Sequence, residues 1–116
     1  VTQVTIYHNP KCSKSRETLA LLEGKGIAPR VVEYLKTPPS AAELDRILKL
    51  LGLEPRALMR KGEDEYRDLG LDATKLTREH LINAMVENPR LIERPIVLAN
   101  GKAAMGRPPV NALKIL

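Results

Sequence analysis

The first 35 residues switch from a two-residue to a helical period and back, and that switch limits the fold more than any other feature. Gln3-Val4-Thr5-Ile6-Tyr7 reads as a strand over about Val4–Tyr7. A helical pattern follows over Ser13–Lys25, with Leu19 and Leu22 inward and Gly24 and Gly26 as stops. Arg30-Val31-Val32-Glu33-Tyr34-Leu35 is β-branched and reads as a second strand. Strand, helix and strand in so short a span imply a parallel pair joined by a right-handed crossover.

Thr37-Pro38-Pro39 breaks the pattern, and Ser40-Ala41-Ala42-Glu43 then has the spacing of a capping box. Leu44, Ile47, Leu48 and Leu51 mark one face of a helix that Gly52 ends. Pro55 to Met59 suits a short helical turn, and Asp64–Leu69 has weak helical character. Thr77 caps a further helix with Leu81, Ile82, Met85 and Val86 inward, stopped at Asn88-Pro89. Ile96–Ala99 reads as a buried strand, Asn100-Gly101 as a two-residue hairpin turn, and Lys102–Met105 as the returning strand. Pro108 opens a last helix with Val110, Leu113 and Leu116 inward. The order is β-α-β, a helical middle, then β-β-α. This α/β order resembles the thioredoxin-like fold. It implies a four-stranded mixed sheet flanked by helices, with an enlarged helical insertion between the second and third strands. A chain of 116 residues is expected to form one domain over 1–116.

Composition narrows the partners. No run approaches the roughly 20 apolar residues of a membrane span. Val1–Thr5 lacks a basic region followed by an apolar stretch, and reads as the start of the first strand, not as a signal peptide. The single cysteine allows no internal disulfide, so a cytoplasmic location is expected. A net charge of +5 suits an anionic ligand. Nucleic acid is disfavoured, because Tyr7, Tyr34 and Tyr66 are the only aromatic residues and no basic run is present. One cysteine and two separated histidines supply no metal-ligand cluster.

Cys12 stands where the first strand gives way to the first helix. Unpaired N–H groups and the positive end of the helix dipole there favour a thiolate. Lys11, Lys14, Arg16 and His8 add positive charge nearby. A small apolar core residue is the competing reading of Cys12, and its polar, cationic neighbours count against it. Cys12-Ser13-Lys14-Ser15 is C-x-x-S, so any disulfide formed by Cys12 must be resolved by an outside thiol. Ser15 can donate a hydrogen bond to a thiolate or a bound anion, or simply sit in the first helical turn. Arg60, Arg94 and Arg107 stand near chain breakers and offer planar donor forks for an oxyanion. Arg94 precedes the third strand and Arg107 follows the hairpin, so both can flank the sheet end that holds Cys12. In thioredoxin-like folds the residue before the third strand is a cis-proline facing the cysteine. Pro95 is the candidate here, X–Pro being the only bond for which cis is cheap.

Tyr7-His8-Asn9-Pro10, Cys12, Ser15-Arg16, Arg56-Ala57-Leu58-Met59-Arg60-Lys61, Leu69-Gly70-Leu71, Arg94-Pro95-Ile96-Val97 and Arg107-Pro108 together resemble the glutathione- and glutaredoxin-coupled arsenate reductase family. The resemblance runs through almost the whole chain. Well-characterised members carry a longer C-terminal segment than one ending at Leu116. The resemblance implies Cys12 as nucleophile, with His8 and Ser15 tuning the thiol. Arg60, Arg94 and Arg107 would be the oxyanion clamp, and Asn9, Arg16 and Pro95 structural residues beside the site. It implies arsenate as substrate, glutathione as co-substrate, glutaredoxin as partner, no bound cofactor and a monomeric enzyme. Two alternatives are a monothiol glutathione-dependent oxidoreductase without arsenate activity and a regulatory protein on a thioredoxin-like scaffold. A regulator of that type typically uses C-x-x-C, which Ser15 removes.

Overall fold

The computed structural model describes residues 3–116. Val1 and Thr2, which open the segment read as a first strand and not a leader, lie outside the described residues. The backbone divides into two compact units, one formed by the chain up to Thr37 together with Arg94–Leu116, the other by Pro38–Glu93. No described helix is long and apolar enough to cross a membrane.

The first unit contains β1 (Thr5–Tyr7), α1 (Ser13–Gly24), β2 (Arg30–Val32), β3 (Ile96–Ala99) and β4 (Lys102–Met105), followed by a 3-10 helix over Pro109–Ile115. The strands form one mixed sheet in the order β2-β1-β3-β4. β1 pairs parallel with β2 and antiparallel with β3, and β3 pairs antiparallel with β4. This is the four-stranded thioredoxin-like sheet that the element order implies. Val4 and Ile6 share a sheet face with Val97 and Ala99, as the two-residue period of strands requires. Leu22 of α1 and Ala112 and Ile115 of the 3-10 helix close that core, with Leu19, Ile27 and Ala104 at its margin.

Two expectations change in this unit. The second strand stops at Val32 instead of running to Leu35. Its only partner, β1, ends at Tyr7, and after His8 N–H bonds to Val32 O the chain leaves the sheet. Glu33–Thr37 then turns on the Glu33 carbonyl, and Leu35 is exposed. In the last helix Val110 and Leu116 are exposed, and Ala112 and Ile115 are the buried residues. Pro109, Ala112 and Ile115 form one row of the three-residue period, and Val110, Leu113 and Leu116 form the next; packing buries the first row instead of the second. Asn100 and Gly101 both adopt positive φ, as a two-residue hairpin turn demands. The Asn100 side chain donates to Ile115 O at 2.8 Å and ties the hairpin to the final helix.

The second unit is helical: α2 (Ala41–Leu51), a 3-10 turn over Pro55–Leu58, α3 (Asp64–Asp68), α4 (Arg78–Glu87) and a second 3-10 turn over Pro89–Leu91. All of these lie between β2 and β3 in the chain. Ser40 caps α2 by accepting the Glu43 N–H at 3.1 Å, and Thr77 caps α4 by accepting the His80 N–H at 3.1 Å. Gly52 closes α2 in the left-handed region at φ 69°, a position that favours glycine. α2 packs on α4 through a core of Leu44, Ile47, Leu48, Leu81, Ile82 and Met85, with Leu51 and Val86 only half-buried. Met59 forms an antiparallel bridge to Ile92.

Candidate functional site

The site is built at the end of the sheet where β1 stops. Tyr7 pairs with Ile96, and Ile96 pairs with Met105. The chain leaving β1 toward Cys12, the chain entering β3 from Arg94, and the chain leaving β4 toward Arg107 therefore share one sheet end. Gly106 N–H donates to Pro95 O at 2.9 Å, and an Arg107 Nη1–H donates to Arg94 O at 3.0 Å. The Arg94-Pro95 bond is cis, as the thioredoxin-like resemblance implies, and Arg107-Pro108 is cis as well.

Cys12 is the N-cap residue of α1, half-buried, with an extended backbone. Its side chain makes no capping bond to the first turn, so the thiol leaves the helix N-terminus uncapped. The loop before it is held from within. Asn9 O accepts the Cys12 N–H at 3.0 Å, and the Asn9 side-chain oxygen accepts the Lys11 N–H at 3.0 Å. Arg16 reaches back to Pro10 O at 3.0 Å. Asn9 and Arg16 thus shape the loop that carries the cysteine.

Beneath this loop lies a buried polar pair. Ser15 is fully buried and His8 nearly so. Ser15 Oγ stands 2.6 Å from His8 Nδ1 and accepts the Asn9 N–H at 3.0 Å. Burial lowers the His8 pKa below its ordinary value of 6.5; Glu33 opposes that shift and Arg16 adds to it. The imidazole is therefore neutral near pH 7 and does not supply the positive charge expected of it beside Cys12. With its proton on Nε2, it takes the Ser15 hydroxyl proton at Nδ1. With the proton on Nδ1, it donates to Ser15 and frees that hydroxyl for another acceptor. The tautomer of His8 decides whether Ser15 has a proton to offer.

The remaining sequence-derived candidate, Arg60, belongs to the helical unit. There it is ion-paired with Glu63 at 2.9 Å and Glu93 at 3.7 Å, and Arg90 binds the other oxygen of Glu63 at 2.9 Å. Arg56, part of the same sequence motif, donates to the carbonyls of Leu71 and Ala73 and braces that stretch of backbone. Two further residues lie near this sheet end, of which Thr18 escaped the sequence reading. Thr18 is fully buried in α1, and Gly106 is buried beside Pro95. The available signal at Thr18 was a polar residue on the inner helix face, between Ser15 and Leu22.

A family model described as the ArsC family matches residues 7–115. The chain belongs to the ArsC family. Among curated relatives, "Arsenate reductase" of Neisseria meningitidis serogroup B is 52% identical over 98% of this chain and 98% of its own length. The uncharacterised protein YfgD of Escherichia coli strain K12 is 58% identical over 98% of this chain and 97% of its own length. Among solved structures, the arsenate reductase from Vibrio cholerae superposes with a TM-score of 0.97 at 57% identity, over 100% of this chain and 99% of that one. A longer relative, "Arsenate reductase" of Escherichia coli, is 43% identical over 100% of this chain and 82% of its own length. As an ArsC-family protein the chain falls among oxidoreductases that act on an oxyanion.

Proposed function

We propose that the protein reduces arsenate to arsenite, with Cys12 as its single nucleophile and glutathione and glutaredoxin as reductants, as a monomer in the cytoplasm. The observation that carries this reading is the strand register. It gathers a cysteine at an uncapped helix N-terminus and two cis-proline-flanked arginines at one sheet end of an ArsC-family chain. Cys12, Arg94 and Arg107 belong to one unit of one chain, which suits a monomeric enzyme.

The mechanism follows from charge and electron balance. Arsenate and a thiolate are both anions, so their approach needs cations to offset the repulsion. Arg94 and Arg107 supply the guanidinium forks. Arg60 enters the clamp from the family resemblance alone. Cys12 Sγ attacks arsenic, an S–As bond forms, and hydroxide leaves and takes a proton to become water. A glutathione thiolate then attacks the Cys12 sulfur. The S–S bond forms, the S–As bond breaks, and its electron pair stays on arsenic, which departs as arsenite. Two thiols have been oxidised and arsenic reduced by two electrons. A glutaredoxin thiolate takes the glutathionyl group and returns Cys12. The absence of a second cysteine in C-x-x-S suits this outside resolution. His8 and Ser15 hold the loop and set the proton inventory beneath the thiol.

The test is steady-state arsenate reduction with glutathione and glutaredoxin, followed through oxidation of NADPH by glutathione reductase. Arsenate-dependent turnover that disappears in Cys12→Ser is the expected result. Reduction of a glutathionylated peptide without arsenate turnover would replace this reading with that of a monothiol oxidoreductase.

A further inference from the structure

We infer that Thr18 and Gly106 are positioning residues, which with Pro95 fasten the segments bearing Arg94 and Arg107 to the helix that presents Cys12. The inference rests on the oxyanion clamp proposed above and assigns the residues that hold it in register.

Thr18 is one of three buried polar residues in the described chain, with His8 and Ser15. Its position on the inner face of α1 calls for an apolar side chain, and valine would fill the same volume. The hydroxyl instead donates to Lys14 O at 2.8 Å and lies 3.4 Å from Gly106 O. A hydroxyl has one proton, so the shorter bond takes most of it, and the Gly106 carbonyl shares the remainder. Gly106 meets the same side chain closely. A Cβ there would collide with Thr18 Oγ1, stand 2.6 Å from Pro95 Cγ and 3.1 Å from Thr18 Cγ2. Glycine is needed here for room, since Gly106 is not among the positive-φ glycines.

The contacts form a chain of short links. Thr18 lies six residues after Cys12 on the same helix, about 9 Å along its axis. Thr18 touches Gly106, and Gly106 N–H holds Pro95 O. The next residue, Arg107, donates to Arg94 O. Both arginine backbones are thereby referred to the helix that begins at the thiol. A methyl group added at Gly106 must displace Pro95 or Thr18, and with them one or both arginines. Misplacement by about an ångström is enough to cost reactivity substantially.

The test uses the full chain as wild type, Thr18→Val, Thr18→Ser and Gly106→Ala. Arsenate, and separately inorganic phosphate, is titrated as a protectant of Cys12 against iodoacetamide, and thermal midpoints are recorded in parallel. Gly106→Ala should raise the arsenate concentration for half-protection about tenfold. Thr18→Val should raise it about twofold, since the Gly106 carbonyl holds only a share of one neutral hydrogen bond, and Thr18→Ser should restore it. In turnover the KM for arsenate should rise while that for glutathione stays constant. A lowered thermal midpoint with wild-type protection in Thr18→Val would overturn the inference, because the residue would then only pack. Failure of Thr18→Ser to restore protection would overturn it too. If Gly106→Ala does not fold, the two Thr18 variants decide. If neither anion protects the wild type, the clamp itself fails; protection equal in wild type and variants refutes only the positioning role.

Discussion

The sheet unit and the helical unit place their polar groups in opposite ways. His8, Ser15 and Thr18, the buried polar residues of the described chain, all lie in the sheet unit. There they are neutral and hydrogen-bonded, as groups removed from water must be. The helical unit sets charged groups in half-buried ion pairs. Asp45 binds Lys49 at 3.1 Å and Arg78 at 2.9 Å, and Glu63 binds Arg60 and Arg90. Pairs whose cation reaches solvent, as Lys49 and Arg90 do, are screened and contribute little each. A buried neutral hydrogen-bonded group costs stability if its partner is lost, and these groups lie in the unit whose sheet end carries Cys12 and the segments of Arg94 and Arg107. The contrast teaches that the proposed site goes with burial of polar groups and not with density of charge.

The strongest way to break the contrast is to remove the thiol. Cys12→Ser should reduce arsenate turnover to background while changing stability by less than about 1 kcal/mol, since the side chain is only half-buried. Urea unfolding alongside the coupled assay checks both parts.

Arg94→Ala and Arg107→Ala come next. Each should cost about 2–5 kcal/mol of arsenate kcat/KM, with Arg→Lys recovering only part because the planar fork is gone. The rate of Cys12 alkylation by iodoacetamide should barely change. Equal losses in both assays would mean that the arginines tune the thiol instead of holding the oxyanion.

A core truncation in the other unit sharpens the division of labour. Leu48 is fully buried in α2, so Leu48→Ala should lower unfolding free energy by about 2–5 kcal/mol. Turnover per folded molecule should stay near wild type. A comparable fall in kcat at a temperature where the variant is fully folded would end the claim that the helical unit contributes packing alone at this position.

The two units should also titrate differently. His8 has a folded pKa below 6.5, so between the two values the unfolded chain holds a proton that the native chain lacks. Stability from this group is present above about pH 6.5 and falls as the pH drops below it. His8→Gln should flatten that part of the pH profile of the urea midpoint. Asp45 is held below its ordinary 3.8 by hydrogen bonds from Lys49 and Arg78. Its contribution is present above that value and is lost as pH falls through the folded pKa. Asp45→Asn should give the smallest change of all, visible as a loss of slope at acidic pH.

Local chemistry accounts for what could be read without coordinates. Ser40 and Thr77 cap helices because their oxygens meet N–H groups three residues on. Asn100-Gly101 turns because both residues tolerate positive φ. The strand-to-helix position of Cys12 and the break at Arg94-Pro95 follow from neighbouring residues as well. These features depend on separations of a few residues, so the sequence by itself determined them, and with them the α/β order and the place of the single cysteine.

What only the tertiary structure decided depends on groups far apart in the chain. The face of the last helix was set by which of two neighbouring rows, Ala112 and Ile115 or Val110 and Leu113, packs against the sheet core. The end of β2 was set by the length of its partner. The single Ser15 proton was placed in question by a histidine brought to 2.6 Å. Thr18 and Gly106 acquired their importance from an approach across 88 residues of sequence. Composition and periodicity record which side chains prefer burial, but not which two backbones come so close that one of them has no room for a methyl group.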